Sequence, residues 1–226
     1  MNLLAIETST ETGAVALLSG ATLQAEMRIR RKRVQSRKLV PAIQNMLDDL
    51  EWNFRDLNGI AISVGPGSFT GVRIGLSVAK GLAFARDLPV TSVISLDALA
   101  LPFSGSNRLV CSLIRFRKTD YYAAMFKWDG SRMERVSQYE VLDMSDLNHF
   151  LVDGAVLAGD FSEEEIENLK KFVKRDVSLA APVHRHVSAF SVGLLGLENF
   201  RRGRVEDVAR LEPFYMKDFP LKKASK

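Results

Sequence analysis

The chain has 226 residues, 46% of them hydrophobic and 26% charged, with a net charge of +4. That balance supplies real cores and excludes a disordered chain, and no apolar run reaches the roughly 18 residues of a membrane span. The lone Cys111, inside the apolar run LVCSLI, predicts a buried inert thiol and excludes an internal disulfide; with no basic stretch ahead of the first apolar run, a cytoplasmic protein is expected.

Asn2 to Ile6, Gly13 to Leu18 and Leu23 to Ile29 read as three strands joined by tight connections. The period then changes. Leu39, Ile43, Met46, Leu47 and Leu50 recur at helical spacing, predicting a helix from Ser36, its N-cap, to Leu50. Ile60 to Val64 is a buried strand, Thr70 to Phe84 a long helix, and Val90 to Ile94 another strand. Ser95 caps a short helix through Ala100. Pro102 to Asn107 has loop composition and marks a domain boundary. The same order then returns. Strands are predicted over Leu109 to Ile114, Tyr121 to Trp128 and Arg132 to Val141, with Asp129-Gly130 as a hairpin signal. A short helix over Ser145 to Val152, a strand over Ala155 to Ala158, a helix over Glu163 to Lys174, a strand over Val177 to Ala180 and a helix over Ser188 to Phe200 complete it.

Both halves therefore read β-β-β-α-β-α-β-α. A hairpin-led sheet with right-handed crossovers after it is the RNase H-like unit. The predicted fold class is α/β, with two such lobes in tandem as in actin, Hsp70 and sugar kinases (the ASKHA superfold). The lobes are placed at 1–103 and 108–211, with a tail over 212–226.

Enzymes of that fold hold a nucleotide between the lobes, on loops that come after the first strand of each. Hydroxyls and backbone N–H groups meet phosphates, and carboxylates hold Mg²⁺. Glu7-Thr8-Ser9-Thr10 fits the first of these loops, and reads equally as a polar hairpin turn. The second lobe departs: its first strand ends Ile114-Arg115-Phe116-Arg117-Lys118, and arginine cannot ligate Mg²⁺. Such a site attracts an anion without supporting phosphoryl transfer.

Gly65-Pro66-Gly67-Ser68-Phe69-Thr70-Gly71 is a glycine-rich turn into a helix. It lacks the Lys-Ser/Thr of a Walker loop and the spacing of a dinucleotide fingerprint. Gly65 and Gly67 permit the sharp turn, and Ser68 or Thr70 can cap the helix. Glu7, Thr8, Ser9, Gly67 and Ser68 are thus the candidate phosphate or nucleotide contacts. Along the helix Gly71, Gly75, Ala79 and Ala83 recur every four residues, a face nearly free of side chains. That face packs inside its own lobe or meets a partner protein.

Seven of the eleven residues from Arg28 to Lys38 are basic. Two readings stand: a solvated loop, or a nucleic-acid contact through Arg31, Lys32 and Arg33. His184 and His186 lack companion ligands, so no metal site is assigned.

The stretch SVGPGSFTGVRIGLSVAKGLA (Ser63 to Ala83) closely resembles the TsaB (YeaZ) family of tRNA threonylcarbamoyladenosine biosynthesis proteins. AIETST (Ala5 to Thr10), SLDALA (Ser95 to Ala100) and EPFYMK (Glu212 to Lys217) are similar to further motifs of that family. The likeness is strong over residues 1–100 and weak through most of the second half. It implies the tandem RNase H-like fold and a non-catalytic subunit, the dimerisation partner and scaffold of a paralogue, TsaD, which transfers threonylcarbamoyl to the tRNA adenosine beside the anticodon. An ATPase, TsaE, joins them, tRNA is met through the complex, and the chain alone is a candidate homodimer. No intrinsic cofactor is implied; ATP or ADP would bind only at the interface of the assembled complex. The family pairs through the two helices of its first lobe, which places Leu39, Ile43, Met46, Gly71, Gly75, Ala79 and Ala83 at the partner interface. Two departures stand out: Gln35-Ser36-Arg37 replaces the family's His-Ser-Glu, and Arg115-Phe116-Arg117 its Asp-Ala-Arg. The competing function classes are an autonomous nucleotide-dependent transferase or ATPase, and a peptidase. The missing second carboxylate argues against the first, and the missing metal ligands and activated nucleophile against the second.

Overall fold

A computed structural model describes residues 1–30, 35–117 and 119–216, without the side chains of residues 35–37. The first apolar run forms β1 (Asn2–Glu7), antiparallel to β2 (Thr12–Ser19), which pairs in turn with β3 (Thr22–Arg30). After α1 (Gln35–Asp49), the strand β4 (Gly59–Ser63) lies parallel to β1. After α2 (Phe69–Arg86), β5 (Val90–Val93) lies parallel to β4. The order is β3-β2-β1-β4-β5. Strands β1 and β4 are covered on both faces, and for that reason they read as continuous apolar runs rather than alternating ones.

The second half repeats the plan. It comprises β6 (Val110–Arg115), β7 (Asp120–Trp128), β8 (Met133–Arg135), β9 (Glu140–Asp143), α4 (Leu147–Phe150), β10 (Val156–Ala158), α5 (Glu163–Phe172), β11 (Ser178–Leu179) and α6 (Ala189–Arg201). The sheet order is β11-β10-β6-β7-β8, with β9 also on β7. Read from the other edge this is the first lobe's order, so the chain has the tandem RNase H-like, actin-like architecture expected from its pattern.

Three local expectations need correction. The strand predicted over Arg132 to Val141 is two, β8 and β9. Between them the Ser137 hydroxyl accepts the hydrogen bond of the Met125 N–H at 2.9 Å, so a side chain replaces the backbone in the ladder and breaks the strand. The first helix already includes Gln35, so Ser36 lies within its first turn and not ahead of it. The helix α3 (Ser95–Ala100) begins at Ser95 itself, without a side-chain cap. The Ser95 hydroxyl is instead 2.7 Å from that of Ser63. Elsewhere the capping logic holds. Ser162 and Glu165 form a capping box on α5, and Ser188 caps α6 by accepting from the Ser191 N–H at 3.3 Å.

The sheets divide at the predicted boundary, but the helices do not. Helix α3 of the first half packs on β6 and β7 of the second sheet, and α6 of the second half packs across β1, β2, β4 and β5 of the first. Leu3, Ala5, Leu18 and Ala61 therefore share one core with Val110, Ile114, Ala124 and Phe126. Two further cores lie outside this layer, one under α1 and α2, the other under α4 and α5. After α6 the chain returns along the first lobe: the Glu206 N–H donates to the Val90 carbonyl at 2.8 Å, and the Phe214 N–H to that of Val64 at 2.8 Å.

Candidate functional site in the cleft between the lobes

Two loops of the first lobe are stitched together at the carboxyl ends of β1 and β4. Glu7 is fully buried, and its Oε1 accepts from both the N–H and the hydroxyl of Ser9 at 2.5 Å. The Ser68 N–H donates to the Ser9 carbonyl at 2.6 Å. Gly67 sits so close to Ser9 that a Cβ would overlap its carbonyl, so only glycine lets the two loops touch. The Ser68 hydroxyl caps α2, accepting from the Gly71 N–H at 3.2 Å. Glu7, Thr8, Ser9, Gly67 and Ser68 are thus brought together, as their order in the sequence suggests. Ser9, Gly67 and Ser68 line the cleft, whereas Glu7 and Thr8 are buried behind it. Burial pushes the Glu7 carboxyl up to about 7, with the Ser9 and Ser63 hydroxyls and the Ser9 and Thr10 amides offsetting part of the rise. Among the described residues, Glu7 Oε2 and Thr8 Oγ1 are buried without a hydrogen-bond partner. Ser9 and Ser68 reach the cleft; Glu7 lies beneath it.

Arg115 ends the corresponding strand of the second lobe, and it is not free. It pairs with Glu165 on α5, which also accepts from the Tyr121 hydroxyl at 3.0 Å and from the Ser162 N–H at 2.8 Å. The guanidinium is thereby neutralised by a carboxylate that lies fifty positions away in the sequence. Beside it, Asp160 stands 3.4 Å from Arg30 and 3.3 Å from His186 Nδ1. Burial alone would raise the Asp160 carboxyl, but the neighbouring His186 ring and the Arg30 and Arg115 guanidiniums hold it below its ordinary range. This ion cluster bridges the lobes, and local sequence pattern gives no sign of it.

The cleft encloses about 690 Å³ between Ser9, Ser68 and Arg30 on one side and Arg115, Tyr122 and Asp160 on the other. Its rim is aromatic. Phe69, at the start of α2, lies 5.8 Å from Tyr215 between ring centroids, and the Arg73 guanidinium sits 3.8 Å over the Phe69 ring while donating to the Tyr215 hydroxyl at 3.2 Å. On the opposite lobe, Phe116 lies 4.8 Å from Tyr122 with the Arg117 guanidinium 4.7 Å over its ring. The sequence signal for these groups was present but undirected: single aromatics next to arginines in separate motifs.

The residues placed at a partner interface point the other way. Gly71, Gly75, Ala79 and Ala83 are buried against their own sheet, and Leu39, Ile43 and Met46 lie in the same core. A Cβ on Gly75 would overlap Thr8 Oγ1, so the small-residue face exists to let α2 lie close on β1 and β4. In the single chain this small-residue face packs internally. The outward side of the two helices is different: it carries Phe84, 69% exposed, and Val40, 44% exposed, while Ile74, Val78 and Leu82 are half-buried at the edge of the same core. Arg31, Lys32 and Arg33 lie outside the described residues. His184 packs edge-on to Phe103, and among the described residues no three His, Cys, Asp or Glu side chains gather to hold a metal ion. Cys111 is buried, with its thiol pushed up by burial. Among the described residues no helix is long and apolar enough to cross a membrane.

A family profile described as "TsaD: tRNA N6-adenosine threonylcarbamoyltransferase" matches residues 30–210. The chain belongs to this family. Within it, the resemblance runs to the TsaB (YeaZ) branch. The chain is 35% identical over 136 residues to the tRNA threonylcarbamoyladenosine biosynthesis protein TsaB of Bacillus subtilis, covering 60% of this chain and 59% of that protein. It is 29% identical to the Escherichia coli TsaB over 96% of this chain and 95% of that one. The solved structure of YeaZ from Pseudomonas aeruginosa superposes with a TM-score of 0.79 at 27% identity, covering 95% of this chain and 99% of that chain. These TsaB-type likenesses extend through the second lobe, where the motifs alone were weak.

Proposed function

We propose that this chain is a non-catalytic subunit in the biosynthesis of threonylcarbamoyladenosine in tRNA, serving as dimerisation partner and scaffold for a TsaD-like threonylcarbamoyltransferase. Family membership supports the pathway. The subunit role rests chiefly on one observation, the occupation of the second lobe's first-strand terminus by an Arg115–Glu165 ion pair where a metal-holding carboxylate would be needed. A guanidinium there can neither ligate a cation nor leave its carboxylate to do so. The outward face of the two helices, with Phe84 of α2 and Val40 of α1, is the surface that pairs with the paralogue. A TsaE-like ATPase, tRNA and any ATP or ADP are met in the assembled complex, and the same face serves a homodimer when the chain is alone.

The experiment replaces Phe84 by Asp. Its ring is largely in solvent, so the isolated variant keeps the wild-type melting temperature, while co-elution with the TsaD-like partner falls at least tenfold because a charge is carried into an apolar contact. Unchanged co-elution overturns the interface. Threonylcarbamoyladenosine that persists in tRNA from cells depleted of the chain overturns the functional reading.

A further inference from the structure

Three arginines around this cleft stand without a carboxylate partner. Arg73, Arg117 and Arg185 make no ion pair among the described residues; Arg73 and Arg117 lie over the exposed rings of Phe69 and Phe116, and Arg185 donates through Nε to the Ala180 carbonyl at 2.7 Å. Phe69 is 57% exposed and Tyr215 42%, although both are large apolar rings held in place by hydrogen bonds and ring contacts. An ordered aromatic in solvent with an unpaired guanidinium over it is matched to a ligand with a flat face and a negative charge. Nucleotides have both.

We propose, building on the tRNA reading above, that this rim binds single-stranded RNA, with an unstacked base on the Phe69–Arg73–Tyr215 platform and the strand's phosphates drawn to Arg73, Arg117 and Arg185. Two features favour a strand over a free nucleotide. The stacking rings line the mouth of the cleft, where a chain can pass across both lobes, and not its floor. The floor offers a free triphosphate little, since Arg115 is already paired with Glu165 and Arg30 with Asp160. Stacking on a guanidinium or an aromatic face tolerates any base, so binding is expected to depend weakly on sequence.

The test uses the full chain alone and a fluorescein-labelled single-stranded heptaribonucleotide, monitored by anisotropy across a salt series. Phe69→Ala and Phe116→Ala should each weaken binding roughly tenfold, the loss of one stacked base. Arg73→Gln should weaken it and lower the salt slope by about 0.7, the release of one counterion fewer from a single strand. Circular dichroism melts confirm that each variant is folded, and the substitutions on separate lobes guard against one of them failing. Binding unchanged within twofold in both phenylalanine variants overturns the proposal. So does AMP competing as well, per nucleotide, as the heptamer, which assigns the rim to a free nucleotide. If the wild-type chain binds no RNA while Phe69→Ala weakens its co-elution with the TsaD-like partner, the rim is a protein surface and the proposal falls. None of these readouts uses tRNA nucleosides from depleted cells, so the proposal can fail while the functional reading stands, and the reverse.

Discussion

The two lobes share a strand order and differ in the loop at the end of their first strand. In the first, that loop carries a buried carboxyl ringed by hydroxyls and amides, against a glycine turn that admits no side chain. In the second, the equivalent position is a half-exposed arginine paired with a buried glutamate that is anchored by a capping box. Topology depends on the apolar pattern of strands and helices and survives substitution of many residues. A nucleotide site depends on a few charged groups at fixed positions. The second lobe has the same topology with no carboxylate at the end of its first strand.

The strongest way to break this comparison is to attack the close fit of the first lobe. Ala79 is fully buried between α2 and the sheet. Ala79→Arg should cost about 3–5 kcal/mol through a buried, unpaired charge and overpacking, lowering the melting temperature by roughly 10–20 °C. A variant that melts like the wild type would mean that this face is open in solution and would restore it as a partner surface.

The buried carboxyl is the next lever. Glu7 titrates at an ordinary 4.5 when unfolded and at about 7 when folded. Between those values the unfolded chain has released a proton that the folded chain still holds. Stability therefore falls as pH rises from 4.5 to 7 and is level above. Glu7→Gln should remove that slope and stabilise the protein at pH 8 by up to about 3 kcal/mol. Denaturant midpoints taken at about pH 5 and pH 8 measure it. Equal slopes in wild type and variant would show that solvent reaches Glu7.

The smallest effect is expected from the second lobe. Its arginine is about half exposed, so Arg115→Ala should cost only about 1 kcal/mol, a shift of a few degrees, with Tyr121 and Ser162 still satisfying Glu165. A loss as large as that of Ala79→Arg would mean that the ion pair holds α5 against β6 within the second lobe.

Much of this architecture was legible in the chain. Apolar runs bounded by turns located nearly every strand, and the repeated order pointed to the tandem fold. The failures have specific causes. Periodicity reports that a helix has an apolar face but not which sheet receives it, so the crossing of α3 and α6 between lobes was invisible. The spacing of Gly71, Gly75, Ala79 and Ala83 is the same for internal and intermolecular packing, and only the position of Thr8 decides it. The Arg115–Glu165 and Arg30–Asp160 pairs join residues far apart in sequence, where no local pattern signals a contact.

The exchange of helices has a consequence for how the protein is made. The first sheet is complete once residue 93 has been synthesised, yet the helix that covers one of its faces ends at residue 201. Throughout translation of the second half, the apolar surface of β1, β2 and β4 must wait uncovered. Its pairing is long-range, so closure is slow compared with helix formation. The nascent chain therefore presents a hydrophobic sheet to chaperones for as long as the ribosome takes to add more than a hundred residues. The two lobes, though separate as sheets, reach the native state as one unit.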